Sequence, residues 1–290
     1  MSRPRNPATI FGVAMILTVV LFSLLYPLLP GYDPYAQQLA SAFVRPFTDG
    51  HYPLGTDSLG RDLASRLALA GRITLGLVLV IVVVNALIGM TIGTVSGYFR
   101  GIVDNVLMGV ADVQLAVPMT LVIMAVSAIR GPSTALMATI LGVTFWVGYA
   151  RVARSVALGL SGRDFVIAPK LLGARSGWVM RKHVVGHVTV PVLILATADL
   201  GNVLIMISSF DYLGLGVQPP TPSWGLMITD GQKYLRQAPY LTIVPAVALL
   251  LVIGGTLLAS RRFTDEGQGL RRVRRAPRAR RGALAKEVMA

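Results

Sequence analysis

Hydrophobic and polar positions fall into long blocks rather than short alternations. Residues 8–29 contain no charged side chain, a run long enough to cross a hydrocarbon core that needs about 20 residues of helix. Residues 73–95 repeat the pattern, and 106–129 do so with two interruptions, Asp112 and Pro118. After the turn Gly131-Pro132-Ser133, in which Ser133 is placed to cap a helix, a fourth block runs to about Ala150 and continues helically through Arg151 and Arg154. Residues 184–209, which hold Asp199 and Asn202, and 238–260, which hold no charge, complete the set. Apolar blocks of this length predict an all-α polytopic membrane protein of about six transmembrane helices. The first block is read as an uncleaved anchor, because a signal peptide has a shorter apolar region and a small-residue cleavage site.

Between the blocks lie three informative stretches. Pro30, Pro34, Pro46 and Pro53 break helix early, after which polar and apolar residues alternate loosely from Asp57 to Leu67. This part is expected to lie along the membrane surface, with Asp57 or Ser58 as cap, Asp62 in the first turns, and a structural role for Asp57, Arg61 and Asp62. Residues 163–178 form a basic, half-polar interruption that reads as a short helix and a glycine turn at Gly173. Phe165, Ile167, Leu171, Leu172 and Trp178 supply apolar contacts there, and Lys170 and Arg175 supply charge, a mixture suited to a groove on another protein. Finally, 271–281 are arginine-rich and apolar-poor, expected to be disordered when free and attracted to anionic lipid. The chain therefore divides into an anchor span with an external segment (1–72), a core of five spans with a loop at about 160–182 (73–260), and a basic tail (261–290).

Composition supports the membrane reading: the 290 residues are 54% hydrophobic and only 14% charged, with a mean hydropathy of +0.66, outside the range of soluble domains. The formal charge of +14 sets topology rather than nucleic-acid binding, since the cations sit between and after the apolar blocks. Six spans put both termini on one side. If that side is cytoplasmic, the opposite face carries seven basic residues, Arg45, Arg61, Arg66, Arg72, Arg130, Lys233 and Arg236, and the cytoplasmic face the remaining 20 of 27. Residues 163–178 then face the cytoplasm.

Several chemistries are excluded. There is no cysteine, hence no disulfide or thiol chemistry. No Gly-rich phosphate loop of the Walker type occurs, so ATP hydrolysis is not expected of this chain. No nucleophile–base pair is present, and His51, His183 and His187 are too scattered for a metal site. Polar residues within the spans are costly and face a bundle interior or an aqueous cavity. Asp199 is the deepest, with Asn202 nearly one turn further and Asn85 in the second span; interhelical hydrogen bonding and a lining role on a solute path both suit them.

Two motifs resemble those of one family, the inner-membrane permease subunits of ATP-binding-cassette importers in the dipeptide/oligopeptide/nickel branch. Tyr212-Leu-Gly-Leu-Gly-Val-Gln-Pro-Pro-Thr-Pro-Ser-Trp-Gly-Leu-Met227 is similar to that branch's signature between the last two spans, and Leu54-Gly-Thr-Asp-Ser-Leu-Gly-Arg-Asp62 to the segment before the second span. The resemblance implies that 163–178 are the coupling region, whose pattern is Glu-Ala-Ala, a glycine four residues later, and a downstream His-x-Leu-Pro. Ala168, Gly173 and His183 match; Ile167 and Pro169 replace the glutamate and second alanine, and Val185-Gly186 the Leu-Pro. A helix beginning near Ala168 accommodates Pro169 at its first position.

By the same resemblance Phe165, Ile167, Ala168, Pro169, Leu171, Leu172, Gly173 and Ala174 would contact an ATPase. Leu213, Gly214, Leu215, Gly216, Pro220, Trp224 and Gly225 would contact an external solute-binding protein, and Asp199, Asn202 and Asn85 would line the path. The implied partners are a homologous permease, two ATPase subunits that use ATP and Mg²⁺, a binding protein and membrane lipid, with no cofactor on this chain and a location in the inner or plasma membrane. The implied cargo is a peptide or a nickel or other metal chelate, and the run from Ala196 to Asn202 looks closer to nickel-type members. A self-contained secondary transporter or channel is the alternative, but the internal repeat often found in secondary transporters is not evident.

Overall fold

The computed structural model describes residues 7–275, with side chains described as far as Ser260. Eleven α-helices follow in order: α1 (Pro7–Leu25), α2 (Leu63–Phe99), α3 (Gly101–Ala116), α4 (Met119–Arg130), α5 (Thr134–Gly142), α6 (Trp146–Leu160), α7 (Asp164–Leu171), α8 (Ser176–Val179), α9 (Val185–Tyr212), α10 (Trp224–Gln232) and α11 (Tyr240–Arg275). A single π-turn, Met180–Val184, joins α8 to α9. No strand occurs among the described residues; Thr56 and Asp62 form one isolated bridge. Five stretches are long and apolar enough to span a membrane, Pro7–Leu28, Leu63–Phe99, Thr134–Leu160, Ser176–Tyr212 and Tyr240–Ser260, and α3 with α4 passes the same test only as a pair bent by 72°, which gives five or six spans. The chain is an all-α polytopic membrane protein.

Three boundaries differ from the sequence expectation, each for a local reason. Span two starts ten residues early: the alternating stretch is not a separate surface helix beyond Asp62 but the first turns of α2. Asp62, not Asp57 or Ser58, is the cap, accepting from Ala64 N at 3.1 Å and Ser65 N at 2.9 Å. Asp57 instead closes the preceding turn, where Oδ1 accepts from Leu59 N and Arg61 N and Oδ2 pairs with Arg61 at 2.6 Å and Arg66 at 3.5 Å.

The block 106–129 is broken into α3 and α4 at Pro118, as its sequence interruption leads one to expect, because proline disfavours helix for the residue before it, and Val117 sits at φ −99°, ψ 118°. Helix α7 begins at Asp164 rather than near Ala168, so Pro169 lies in its last turns; only the bond to the Phe165 carbonyl is lost, and Leu172 N and Ala174 N bond to Ala168 and Pro169 carbonyls as the helix closes. Helix α11 runs to Arg275 with no proline after Pro245, past the boundary at 261 expected for a disordered tail. The rest of that expected tail, 276–290, lies outside the described residues.

The hub of the bundle is α2, which packs most extensively on α6 and then on α9, while α1 lies against α11. The α2–α6 seam is glycine-lined at four-residue intervals. A methyl group added to Gly89, Gly93 or Gly97 would overlap backbone or side-chain atoms of Trp146 and Tyr149, Ala150, or Arg154 and Ala157 respectively. Removing the side chain lets the two backbones approach, the device by which helices associate where lipid offers no hydrophobic drive. Ser133 caps α5 as expected, its Oγ accepting from Leu136 N at 3.1 Å. Tyr240 donates to the carbonyls of Val44 and Thr56, both at 3.0 Å, which fixes the segment before α2 over the start of α11.

Candidate functional site

The stretch singled out at 163–178 is two-faced. Val166 is fully buried and joins Val179, Val184, Val188, Ala157 and Tyr98 in the core. On the other side Phe165, Ile167 and Ala168 are exposed, and Leu171 and Leu172 are exposed by 81% and 89%. These two adjacent leucines, the last residue of α7 and the one after it, form an exposed apolar patch on a helix that is itself anchored. Gly173 follows at φ +86° with no atom within 4 Å of a Cβ built on it. Its conformation favours glycine, and the space beside it is open. Ala174 is half-buried against the core.

The charges expected to face outward divide. Lys170 turns inward and holds its ammonium 4.1 Å from the ring centroid of Tyr98, at the end of α2, while Arg175 is exposed. Phe165 stacks on His187 at 5.6 Å, Trp178 meets His183 edge-on at 5.7 Å, and Lys182 lies 4.8 Å from the Trp178 ring centroid. Two histidines that look scattered in sequence are therefore neighbours of one aromatic group, because α7 folds back on the start of α9. Behind this layer Asp104 of α3 accepts a two-pronged bond from Arg154 of α6, and the Ser96 hydroxyl of α2 donates to the same carboxylate. Arg100 donates to the Leu158 carbonyl at 2.8 Å and to the Ser161 hydroxyl, closing α2 on the end of α6.

Deeper in the bundle Asp199 Oδ2 accepts from the Tyr149 hydroxyl at 2.9 Å and Oδ1 from the Asn202 amide at 3.1 Å. Tyr149 is buried, Asp199 half-buried and Asn202 exposed, so the group leads from the core outward. Among the described residues Asp199 forms no ion pair. Asn85 is placed elsewhere: 1% exposed, it donates to the carbonyls of Ile81 at 2.8 Å and Leu141 at 3.0 Å and ties α2 to α5, which leaves no surface for a solute. Asp112 pairs with Arg151 at 2.8 Å on the exposed surface.

The glycine-rich stretch after α9 also divides. Gly214, at φ +74°, terminates α9, and Leu213 and Pro220 are exposed. Gly216 lies against the Asp211 carboxylate and Gly225 against the Ser208 carbonyl. Trp224 is 0% exposed and its indole N–H points to the Leu67 carbonyl at 3.3 Å. These three hold the loop to α9 and α2, while Leu213 and Pro220 stay exposed and Leu215 is half-buried against the core. Asp211, buried, accepts from Val217 N at 2.7 Å and escaped the sequence reading, as did Tyr149. For Tyr149 a signal existed, since a buried phenol inside an apolar span needs an acceptor.

Comparison with known proteins agrees with this architecture. A family model described as "Binding-protein-dependent transport system inner membrane component" matches residues 89–260. The nickel transport system permease protein NikC of Escherichia coli (strain K12) is 35% identical over 222 residues, 77% of this chain and 79% of the relative. The dipeptide transport system permease protein DppC of Haemophilus influenzae is 29% identical over 271 residues, covering 92% and 90%. The oligopeptide transport system permease protein OppC of Bacillus subtilis (strain 168) is 30% identical over 268 residues, covering 92% and 84%. The matched region holds the glycine seam, the two-faced loop, the Asp199 group and the last span, and the chain belongs to the family of binding-protein-dependent transport system inner membrane components: it is a permease subunit of an ABC importer and not an enzyme.

Proposed function

We propose that this chain forms half of a translocation pathway with a homologous permease and passes peptides or nickel chelates delivered by an external solute-binding protein. Two ATPase subunits, which use ATP and Mg²⁺, dock on the loop around α7. The observation that carries this reading is the exposed pair Leu171–Leu172 beside the open Gly173, on a helix whose other face is locked into the core by Val166. A surface so built takes a partner's groove on one side and moves its own core on the other. The ATPase-facing residues are Phe165, Ile167, Ala168, Pro169, Leu171, Leu172, Gly173 and Ala174. Closure of the ATPases on ATP shifts the population between two arrangements of the spans, and no bond chemistry occurs in this chain.

Asp199 and Asn202 line the solute path, since a half-buried carboxylate without an ion pair has its charge available to cargo. Both termini lie in the cytoplasm, the basic region after 261 interacts with anionic lipid, and Leu213, Leu215 and Pro220 meet the binding protein. Identity of 35% to NikC favours a nickel chelate over a peptide as cargo. In the complex purified from its native membrane, ATPase subunits are expected to accompany the chain, and a Gly173→Val substitution is expected to leave it inserted while solute uptake is lost. Normal uptake by that variant overturns the coupling assignment, and isolation of the chain alone, transporting on an ion gradient, overturns the whole reading. Calorimetric titration of the cognate binding protein with nickel–histidine and with dialanine decides the cargo.

A further inference from the structure

We infer that Lys170 is a positioning residue that ties the coupling helix to the hub helix α2 through the face of Tyr98; this rests on the coupling role proposed for α7. Lys170 stands one residue before the exposed leucines, yet its ammonium lies 4.1 Å from the Tyr98 ring centroid and, among the described residues, forms no ion pair. Tyr98 is 5% exposed. Its ring is backed edge-on by Phe99 at 5.1 Å and 90°. Its neighbour Gly97 is pressed on Arg154 and Ala157 of α6. The ring thus sits on α2 at the point where α2 is packed closely on α6.

The two faces of α7 have different jobs. Val166 is held by packing, which resists separation but does not fix how the far end of an eight-residue helix tilts. Lys170, one turn further, supplies the second point, and two points define a lever. A cation over a ring is attracted by the ring quadrupole and lacks the narrow angular demand of a hydrogen bond, so the contact survives small tilts of α7 while still pulling on α2. Movement of Leu171 and Leu172 with a partner is thus passed directly to span two, and through the glycine seam to α6. In sequence Lys170 reads as a partner contact; only the fold-back of α7 toward the end of α2 reveals its inward role.

The test uses the assembled transporter in proteoliposomes, with its binding protein and with nickel–histidine and dialanine as added solutes. Assembly, basal ATP hydrolysis and solute-dependent stimulation are each measured. Lys170→Met and Tyr98→Leu are expected to reduce stimulation about two- to fivefold, the lower range of a cation–π contact. Lys170→Arg and Tyr98→Phe, which keep a cation and a ring, are expected to retain it. Loss in Lys170→Arg or Tyr98→Phe equal to that in the severe variants overturns the inference, as does full stimulation in Lys170→Met. Dissociation of the ATPases from Lys170→Met but not from Tyr98→Leu also overturns it, because Lys170 then contacts the partner. Gly173→Val separates the two levels: if it stays coupled, the role of α7 itself fails; if it uncouples while Lys170→Met does not, only the link to Tyr98 fails.

Discussion

Single side chains in this molecule settle how long helices begin and what they carry. Asp62 starts a helix of 37 residues by accepting two backbone N–H groups that have no partner in the helix itself. Asp62→Ala is expected to cost about 1–2 kcal/mol, read as a lower Tm of the detergent-purified protein, with Asp62→Asn recovering most of it. At Asp199 the bond from Tyr149 and the charge can be taken apart. Tyr149→Phe removes one interhelical hydrogen bond, is expected to cost about 1 kcal/mol of stability, and keeps solute uptake. Asp199→Asn keeps a side chain of the same shape, is expected to fold, and loses uptake. Equal loss of stability and of uptake in the two variants assigns Asp199 to the scaffold instead. Asp199 and Asn202 were legible in sequence because polar groups inside an apolar span are conspicuous. Tyr149 was not, because a tyrosine adds little to the polarity of a run and its acceptor lies 50 residues away.

The α2–α6 seam is the strongest case at the level of elements. Gly93 faces the Ala150 backbone so closely that a methyl group cannot fit, whereas Gly76, on the same helix, has nothing within 4 Å. Gly93→Ala is expected to destabilise by about 1–3 kcal/mol, the usual cost of overpacking a filled site. Gly76→Ala is expected to be neutral or slightly stabilising, since alanine is the better helix former. Thermal unfolding of both variants checks the pair. If Gly76→Ala proves as harmful as Gly93→Ala, close packing is not what the seam does.

The five long spans were legible from apolar run length, and the cap of α5 and the break at Pro118 from single residues. Helix starts were not, because Asp57 and Asp62 are both good caps by type and only their turn contacts separate them. The same limit applies to α7. Pro169 suits a first helical position by its fixed φ, yet α7 starts five residues earlier, since a proline near the end of a short helix removes only one bond. The stretch 163–178 was legible as a polar interruption, but which of its residues turn inward depended on where α2 ends, a contact across more than 70 positions.

For the molecule as a whole, the proposed orientation rests on where its cations lie. Seven basic residues fall on the face proposed to be external, and the loop carrying α7 falls on the opposite one. The two proposals are linked: a coupling helix works only where ATP is, so reversal of the topology removes the coupling role as well. The chain contains no cysteine, which makes each engineered thiol the only one present. Thr48, exposed in the segment before α2, and Ser176, exposed at the start of α8, lie on opposite sides in this scheme. In right-side-out vesicles a membrane-impermeant maleimide is expected to label Thr48→Cys and spare Ser176→Cys, and in inverted vesicles the pattern exchanges. Labelling of Ser176→Cys from outside places α7 away from the ATPases, and no result at Lys170 or Gly173 could then be read as coupling.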